Sequence, residues 1–150
     1  MNEVRIQFEP LDPNRELDLL RGDNPAIGGI VSFIGLMRDI NDCKSISTLT
    51  LEHYPGMTEK VLRDIVAEAG RRWEILGCRV VHRVGEMKPT DVIVVVAVAS
   101  AHRGEAFRAC EFIIDFLKTR APFWKKERTP EGERWVEARV FDQEAETKWQ

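Results

Sequence analysis

The sequence predicts an α+β fold, and three observations lead there. Strand-like and helix-like segments are mixed without strict βαβ alternation. Two long stretches carry apolar residues at helical spacing: Val61, Leu62, Ile65, Val66, Ala69 and Trp73 in one, Ala106, Phe107, Cys110, Ile113, Ile114 and Leu117 in the other. The longest apolar run, residues 92–99, is too short to cross a membrane and suits a buried strand. The strand and helix order over residues 49–127 would also suit a ferredoxin-like core, and periodicity alone does not decide between the two sheet topologies.

The elements follow in order. Val4, Ile6 and Phe8 alternate with polar residues and predict a first strand. Asp12-Pro13 pairs an N-cap with a first-turn proline, which predicts a short helix through Leu17 and Leu20 that ends near Gly22. Residues 26–34 read as a buried, glycine-containing strand, and residues 39–45 as a flexible loop. Leu49, Leu51 and His53 alternate as a strand closed by the Tyr54-Pro55-Gly56 turn, after which Thr58 is placed to cap the first long helix. Strands are expected at 78–84 and 91–99, joined by a turn with Pro89-Thr90-Asp91. After the second long helix, residues 123–127 and 134–138 predict a hairpin around Thr129-Pro130-Glu131-Gly132, with Trp124 and Trp135 in its core. A charged tail from Asp142 predicts a short surface helix.

The 150 residues are expected to form one domain, 1–150. The N-terminus shows no secretory signal, and no segment predicts a membrane span. Three scattered cysteines, Cys43, Cys78 and Cys110, argue against a disulfide framework and for a cytoplasmic location. No HExxH, CxxC or HxxxH spacing occurs, so no protein-bound metal is expected. Gly28-Gly29 is followed by no nucleotide-loop pattern and reads as a backbone device.

Charge concentrates in one place. Pro122 stops the second long helix, and Lys118, Arg120, Lys125, Lys126 and Arg128 crowd around the stop with Glu127 opposing them. The whole chain is mildly acidic, 22 Lys+Arg against 25 Asp+Glu for a net charge of −3, so the cluster is a local concentration. Such crowding costs free energy unless an anion sits among the cations or a lowered lysine pKa is the purpose. The chain reversal at Pro122 can bring Lys118 and Lys125 to one pocket, where neighbouring positive charge favours a neutral amine or a ready proton donor. A helix-end lysine is also simply favoured by the helix dipole, and that plainer reading competes for Lys118. His102-Arg103 opens the same helix, where exposed N–H groups favour anions and Arg103 could fork onto a phosphate or carboxylate. Arg38 ends a strand–loop junction, a common position for binding residues. His53 and His82 lie in strands and are expected to be structural, as is Cys110 on the buried helix face.

Five blocks, taken in order, resemble the MoaE family, the large, catalytic subunit of molybdopterin synthase. They are Leu51-Glu52-His53-Tyr54-Pro55-Gly56-Met57-Thr58, Val81-His82-Arg83-Val84-Gly85-Glu86, Ser100-Ala101-His102-Arg103, Asp115-Phe116-Leu117-Lys118-Thr119-Arg120-Ala121-Pro122-Phe123-Trp124-Lys125 and Trp135-Val136-Glu137-Ala138-Arg139. The resemblance implies an α/β-hammerhead fold with a mixed or antiparallel sheet, two long helices and a C-terminal hairpin. It implies a homodimer with a small ubiquitin-like sulfur-carrier subunit at each end, a heterotetramer. The carrier's C-terminal Gly-Gly thiocarboxylate would give sulfur to cyclic pyranopterin monophosphate, two transfers building the dithiolene of molybdopterin. Lys118 and Lys125 match the family's essential lysines. Arg38, His102, Arg103 and Arg139 match its anion-binding set, with His102 and Arg103 reaching a site shared across the dimer. Leu36, Met37, Lys126 and Glu127 complete the implied substrate-binding residues. The pair Leu36-Met37 departs from the small, basic or β-branched residues common before that arginine. No cofactor is implied, because molybdopterin is the product and the partner supplies the sulfur.

Three other readings are weaker. A ferredoxin-like nucleic-acid module needs a basic sheet face that a chain of charge −3 without an RNP1-like string does not offer. A non-catalytic adaptor for a ubiquitin-like tail does not need two lysines and His102. A Schiff-base lyase using Lys118 requires a carbonyl substrate.

Overall fold

The computed structural model describes residues 2–41, 43–136 and 146–150. In chain order the elements are β1 (Asn2–Gln7), α1 (Pro13–Arg21), β2 (Gly29–Leu36), β3 (Ile40–Asn41), β4 (Lys44–Ser45), β5 (Thr48–His53) and α2 (Met57–Arg72). They continue as β6 (Gly77–Arg83), β7 (Gly85–Met87), β8 (Val92–Ser100), α3 (Arg103–Arg120), β9 (Phe123–Thr129) and β10 (Gly132–Val136).

The strands divide between two four-stranded sheets and one small hairpin. The first sheet runs β1-β6-β8-β2, with β1 parallel to β6 and the other pairs antiparallel. The second runs β10-β9-β5-β7 and is antiparallel throughout. A ferredoxin-like core is therefore wrong, because β5 and β9 leave the sheet that holds β6 and β8. Gly85, at φ +95°, lets the chain turn straight from β6 in the first sheet into β7 in the second. That turn hides β7 from a reading of periodicity, since only Val84 separates the two strands.

Helices α2 and α3 cover one face of the first sheet. Leu62, Val66 and Ala69 meet Ala109, Phe112, Ile113 and Phe116 above Val80, Val96 and Val98. Helix α1 covers the other face, where Leu20 packs on Ala97 and Ala99. Strand β8 is thus buried on both sides, and its continuous apolar run follows from that. Buried Glu16 fastens α1 to the sheet by accepting from Arg79 at 2.8 Å and Arg5 at 2.6 Å. Removing Glu16 would strand the buried Arg79 charge, at a cost of about 3–5 kcal/mol.

Sequence signals placed α1 well: Asp12 caps it by accepting from the Arg15 N–H, Pro13 opens it, and Gly22 follows it. Gly28 is the expected backbone device, since a Cβ there would lie 2.0 Å from the Ala101 carbonyl oxygen. Other expectations need correction. Within the predicted loop, Ile40 and Asn41 pair antiparallel with Ser45 and Lys44 as β3 and β4. Helix α2 is capped at Gly56, whose N–H donates to Glu59 at 2.8 Å. Thr58 is instead buried inside the first turn. Phe107 is 60% exposed, because the buried stripe of α3 runs through Ala106, Ala109, Cys110, Ile113, Phe116 and Leu117. Trp124 and Trp135 are 47% and 56% exposed, on the outer face of the second sheet. The predicted tail helix and the end of the predicted hairpin fall partly outside the described residues. The last residues return to the helices: Trp149 donates from Nε1 to Asp115 at 2.6 Å and meets Trp73 and Phe112 edge-on.

Candidate functional site

Where α3 stops, the fold opens a cavity of about 380 Å³. Arg120 is the last helical residue and Ala121 is extended, as the residue before a proline must be. Thr58 holds the reversal in place: its hydroxyl donates to the Pro122 carbonyl at 3.1 Å and accepts from the Tyr54 N–H at 2.9 Å. The chain then enters β9 beside β5, with Phe123 opposite His53, Lys125 opposite Leu51 and Glu127 opposite Leu49. Strand side chains alternate between faces, so this row faces inward while Trp124, Lys126 and Arg128 face outward.

The cavity takes walls from several elements. Met37, Ile46, Leu49, Leu51 and Phe123 supply apolar surface. Arg38, Asn41, His82, Lys118, Lys125 and Glu127 supply the polar groups, and Leu36 lies at the β2 end. The two lysines arrive from unlike backbones, a helix C-terminus and a strand, and both charges act on His82.

The basic cluster read as one patch is divided by the fold. Lys118 and Lys125 line the cavity, whereas Lys126 pairs with Glu133 at 3.3 Å and lies over the Trp135 ring at 5.5 Å. Arg128 pairs with the same Glu133 at 3.1 Å, and the two cations hold its carboxyl below the usual range. Arg120 turns to Glu146 at 2.7 Å. Lys126 therefore projects from the face of β9 opposite to Lys125, toward Glu133 and Trp135.

Glu127 lines the cavity, but its oxygens are engaged. Oε1 accepts from Arg134 at 3.0 Å, and Oε2 accepts from Asn41 Nδ2 at 2.8 Å. Arg134 also donates to the Asn41 carbonyl at 3.0 Å, so Glu127 pins the β3–β4 hairpin over the cavity. His102 and Arg103 begin α3, and fifteen residues of helix put Arg103 about 22 Å from Lys118 along the axis. One chain does not bring them together. Arg139 lies outside the described residues.

Among the polar groups that line the cavity, sequence reasoning missed two. Asn41 gave no signal in a segment read as loop. His82 sat in a quoted motif block but read as structural. Its ring is buried, stacked on Phe123 at 4.0 Å, and Nδ1 lies 2.8 Å from the Arg83 carbonyl oxygen. Burial, against the opposing hydrogen bond to the Arg83 carbonyl and with help from the charges of Lys118 and Lys125, pushes its pKa down to about 3. Burial pushes the Cys78 and Cys110 thiols up to about 12, which leaves them as packing groups. Among the described residues no group of His, Cys, Asp or Glu could hold a metal ion, and no helix is long and apolar enough to cross a membrane.

The structure is an α+β domain with two lysines lining a part-apolar cavity, an arrangement of the kind that suits a small anionic ligand. Comparison with known proteins gives the family. The model described as MoaE protein matches residues 6–120, and the chain belongs to that family. It is 55% identical over 149 residues to the "Molybdopterin synthase catalytic subunit" of Ralstonia nicotianae, covering 99% of this chain and 85% of that one. Among solved structures, the "Molybdopterin biosynthesis MoaE protein" of Burkholderia ambifaria superposes with a TM-score of 0.85 at 52% identity, covering 99% and 98% of the two chains. "Molybdopterin Synthase" from Staphylococcus aureus superposes at 0.81 with 32% identity, covering 88% and 95%.

Proposed function

We propose that this chain transfers sulfur from the C-terminal thiocarboxylate of a small ubiquitin-like carrier subunit to cyclic pyranopterin monophosphate, forming the dithiolene of molybdopterin. The observation that carries this reading is the convergence of Lys118 and Lys125 on one cavity with apolar walls. A cyclic phosphate and a thiocarboxylate are both anions, and a pterin ring system is flat and largely apolar on its faces. The carrier brings the nucleophilic sulfur, so the chain's own tasks are positioning, charge stabilisation and proton transfer as the ring opens and oxygen leaves. Lys118 and Lys125 take those tasks, and Arg38 at the cavity rim holds the phosphate with them. Lys126 and Glu127 act indirectly on this reading, Glu127 by holding the cavity wall.

A homodimer belongs to the same proposal. Strand β2 lies at the edge of its sheet with Phe33, Ile34 and Leu36 exposed, a surface suited to a second copy. His102 and Arg103 are too far from their own Lys118 to serve the same cavity, which fits service to the partner's. The partner subunit is inferred from the word "subunit" in the relatives' names.

The test incubates the protein with thiocarboxylated carrier and cyclic pyranopterin monophosphate, followed by mass spectrometry of the pterin. The expected product has gained two sulfur atoms. An unchanged pterin, under conditions where a known synthase converts it, would defeat the proposal.

A further inference from the structure

We propose that Asp91 is a positioning residue for Arg38: through the Lys88–Asp91 turn it clasps the backbone at Met37 and so sets where the arginine stands on the cavity wall to meet an anionic ligand. This role deepens the sulfur-transfer reading and rests on it for its kinetic consequence, while its geometry comes from contacts within the chain.

The path into Arg38 departs from a regular ladder. Along β2 and β8, Gly35 faces Val94 but Leu36 faces Val92, so Ile93 is left over as a bulge, and it lines the cavity. Past the bulge the ladder gives way to a clasp. Met37 donates its N–H to the Asp91 carbonyl at 2.9 Å, and its own carbonyl accepts from the Thr90 N–H at 2.9 Å. One residue beyond Arg38, the Asp39 carbonyl accepts from the N–H of buried Ile46 at 2.7 Å. Arg38 is thus held through its neighbours on both sides, and it lines the cavity.

The turn that makes the clasp is strained. The Asp91 N–H closes it on the Lys88 carbonyl at 3.0 Å, with Pro89 and Thr90 at its centre. Thr90 has φ +77°, a conformation that turns of this kind ordinarily give to glycine and that a β-branched residue rarely takes. Such a backbone persists only where its surroundings impose it. The Asp91 carboxylate does so here: Oδ2 accepts from the Lys88 N–H at 2.9 Å and from Arg83 Nη1 at 3.3 Å. Arg83 in turn donates from Nε to the Phe8 carbonyl at 2.9 Å, which ties the turn to the ends of β6 and β1. Asp91 does not itself line the cavity, so its influence on a ligand passes through Met37 and Arg38. An arginine is sensitive to such placement, because its planar fork meets a phosphate or sulfate in a narrow range of orientations.

Asp91→Ala removes both side-chain contacts and leaves every lining residue in place. Inorganic sulfate, followed by calorimetry, is the probe. With folding checked by thermal melting, the variant is expected to bind sulfate about five- to tenfold more weakly, the scale of one hydrogen bond. In turnover, KM for cyclic pyranopterin monophosphate should rise by a similar factor while kcat stays within about twofold, as for binding shared by ground and transition states. Arg38→Ala should weaken sulfate at least as much. Adding Asp91→Ala to it should cost nothing further, because the clasp then has no arginine to place. Were Asp91 to act on the cavity by another route, the two losses would multiply. If Asp91→Ala does not fold, Asp91→Asn keeps an acceptor for the Lys88 N–H, loses the ion pair with Arg83, and should show a smaller loss with the same non-additivity.

Sulfate binding that is unaltered in the folded Asp91 variants, that does not depend on Arg38, or that falls multiplicatively in the double variant overturns the proposal. If sulfur transfer fails while sulfate binding is non-additive in this way, the reaction assignment is at fault and the clasp stands.

Discussion

Lys118 sits on the last turn of α3, where its charge complements the helix dipole by only a few tenths of a kcal/mol. Lys118→Ala should therefore melt within a few degrees of wild type, while sulfur transfer falls by about 100-fold or more, the scale of a positioned acid–base or charge-stabilising group. Lys118→Arg should not restore the rate, because a guanidinium does not give up its proton near neutral pH. A well-folded Lys118→Ala enzyme with near-normal turnover would remove the lysine from the mechanism. His82 makes a separate prediction about stability. Its folded pKa, about 3, lies below the ordinary 6.5, so the unfolded chain binds the proton more readily. The sign follows: its contribution is fully present above about pH 6.5 and is lost as pH falls toward 3. Denaturant midpoints measured across that window should decline less steeply for His82→Phe than for wild type. Parallel slopes would show that the ring is not held neutral.

At the scale of elements, the reversal between α3 and β9 places both lysines, and Thr58 on α2 is its anchor. Thr58→Val keeps the shape but removes the bond to the Pro122 carbonyl and the acceptor for the Tyr54 N–H. The expected loss is about 1–3 kcal/mol of stability. It should come with a drop in kcat, since the Pro122 segment leads directly to Lys125. Loss of stability with unchanged kcat would make Thr58 a purely structural pin. Thr58 also shows where sequence reasoning runs short. A threonine before an apolar helical pattern reads as a cap, and only the distant Pro122 reveals its partner. The caps of α1, the two long helices and the C-terminal hairpin were legible because local chemistry sets them. Strand β7 was not, because three residues that begin with a positive-φ glycine carry no period. The exposure of Trp124 and Trp135 was equally hidden, since which face of a hairpin is covered depends on elements far away in sequence. The cationic stop at Pro122 was visible from the outset, but the sorting of its cations needed the β9 register.

The whole molecule is built to hold one end of α3 still. Helix α2 and the first sheet clamp its middle, and Trp149 with Lys148 bind its outer side through Asp115 and Glu111. The opposite end presents His102 and Arg103 to solvent. If those two residues complete the cavity of a second copy, two inactive variants should repair each other. Mixing Lys118→Ala with Arg103→Ala under conditions that exchange subunits should regain up to about one quarter of wild-type activity, since half of the random dimers carry one intact site. Activity that stays at the level of the separate variants, with mixed dimers shown by mass spectrometry, would place each site within a single chain.

The alternation along β9 makes the length of the chain there as decisive as its composition. Deleting one codon between Pro122 and Lys125 would rotate every following side chain to the other side of the strand, bringing Lys126 toward the cavity and sending Glu127 toward solvent. The damage would come with Lys118, Lys125 and Glu127 all still in the chain, so substituting them one at a time by alanine would never reveal it. The bend at Pro130 and Glu131 lies beyond the last lining position of β9 and is exposed. An inserted peptide tag should be accepted there, whereas the same tag a few residues earlier would silence the protein.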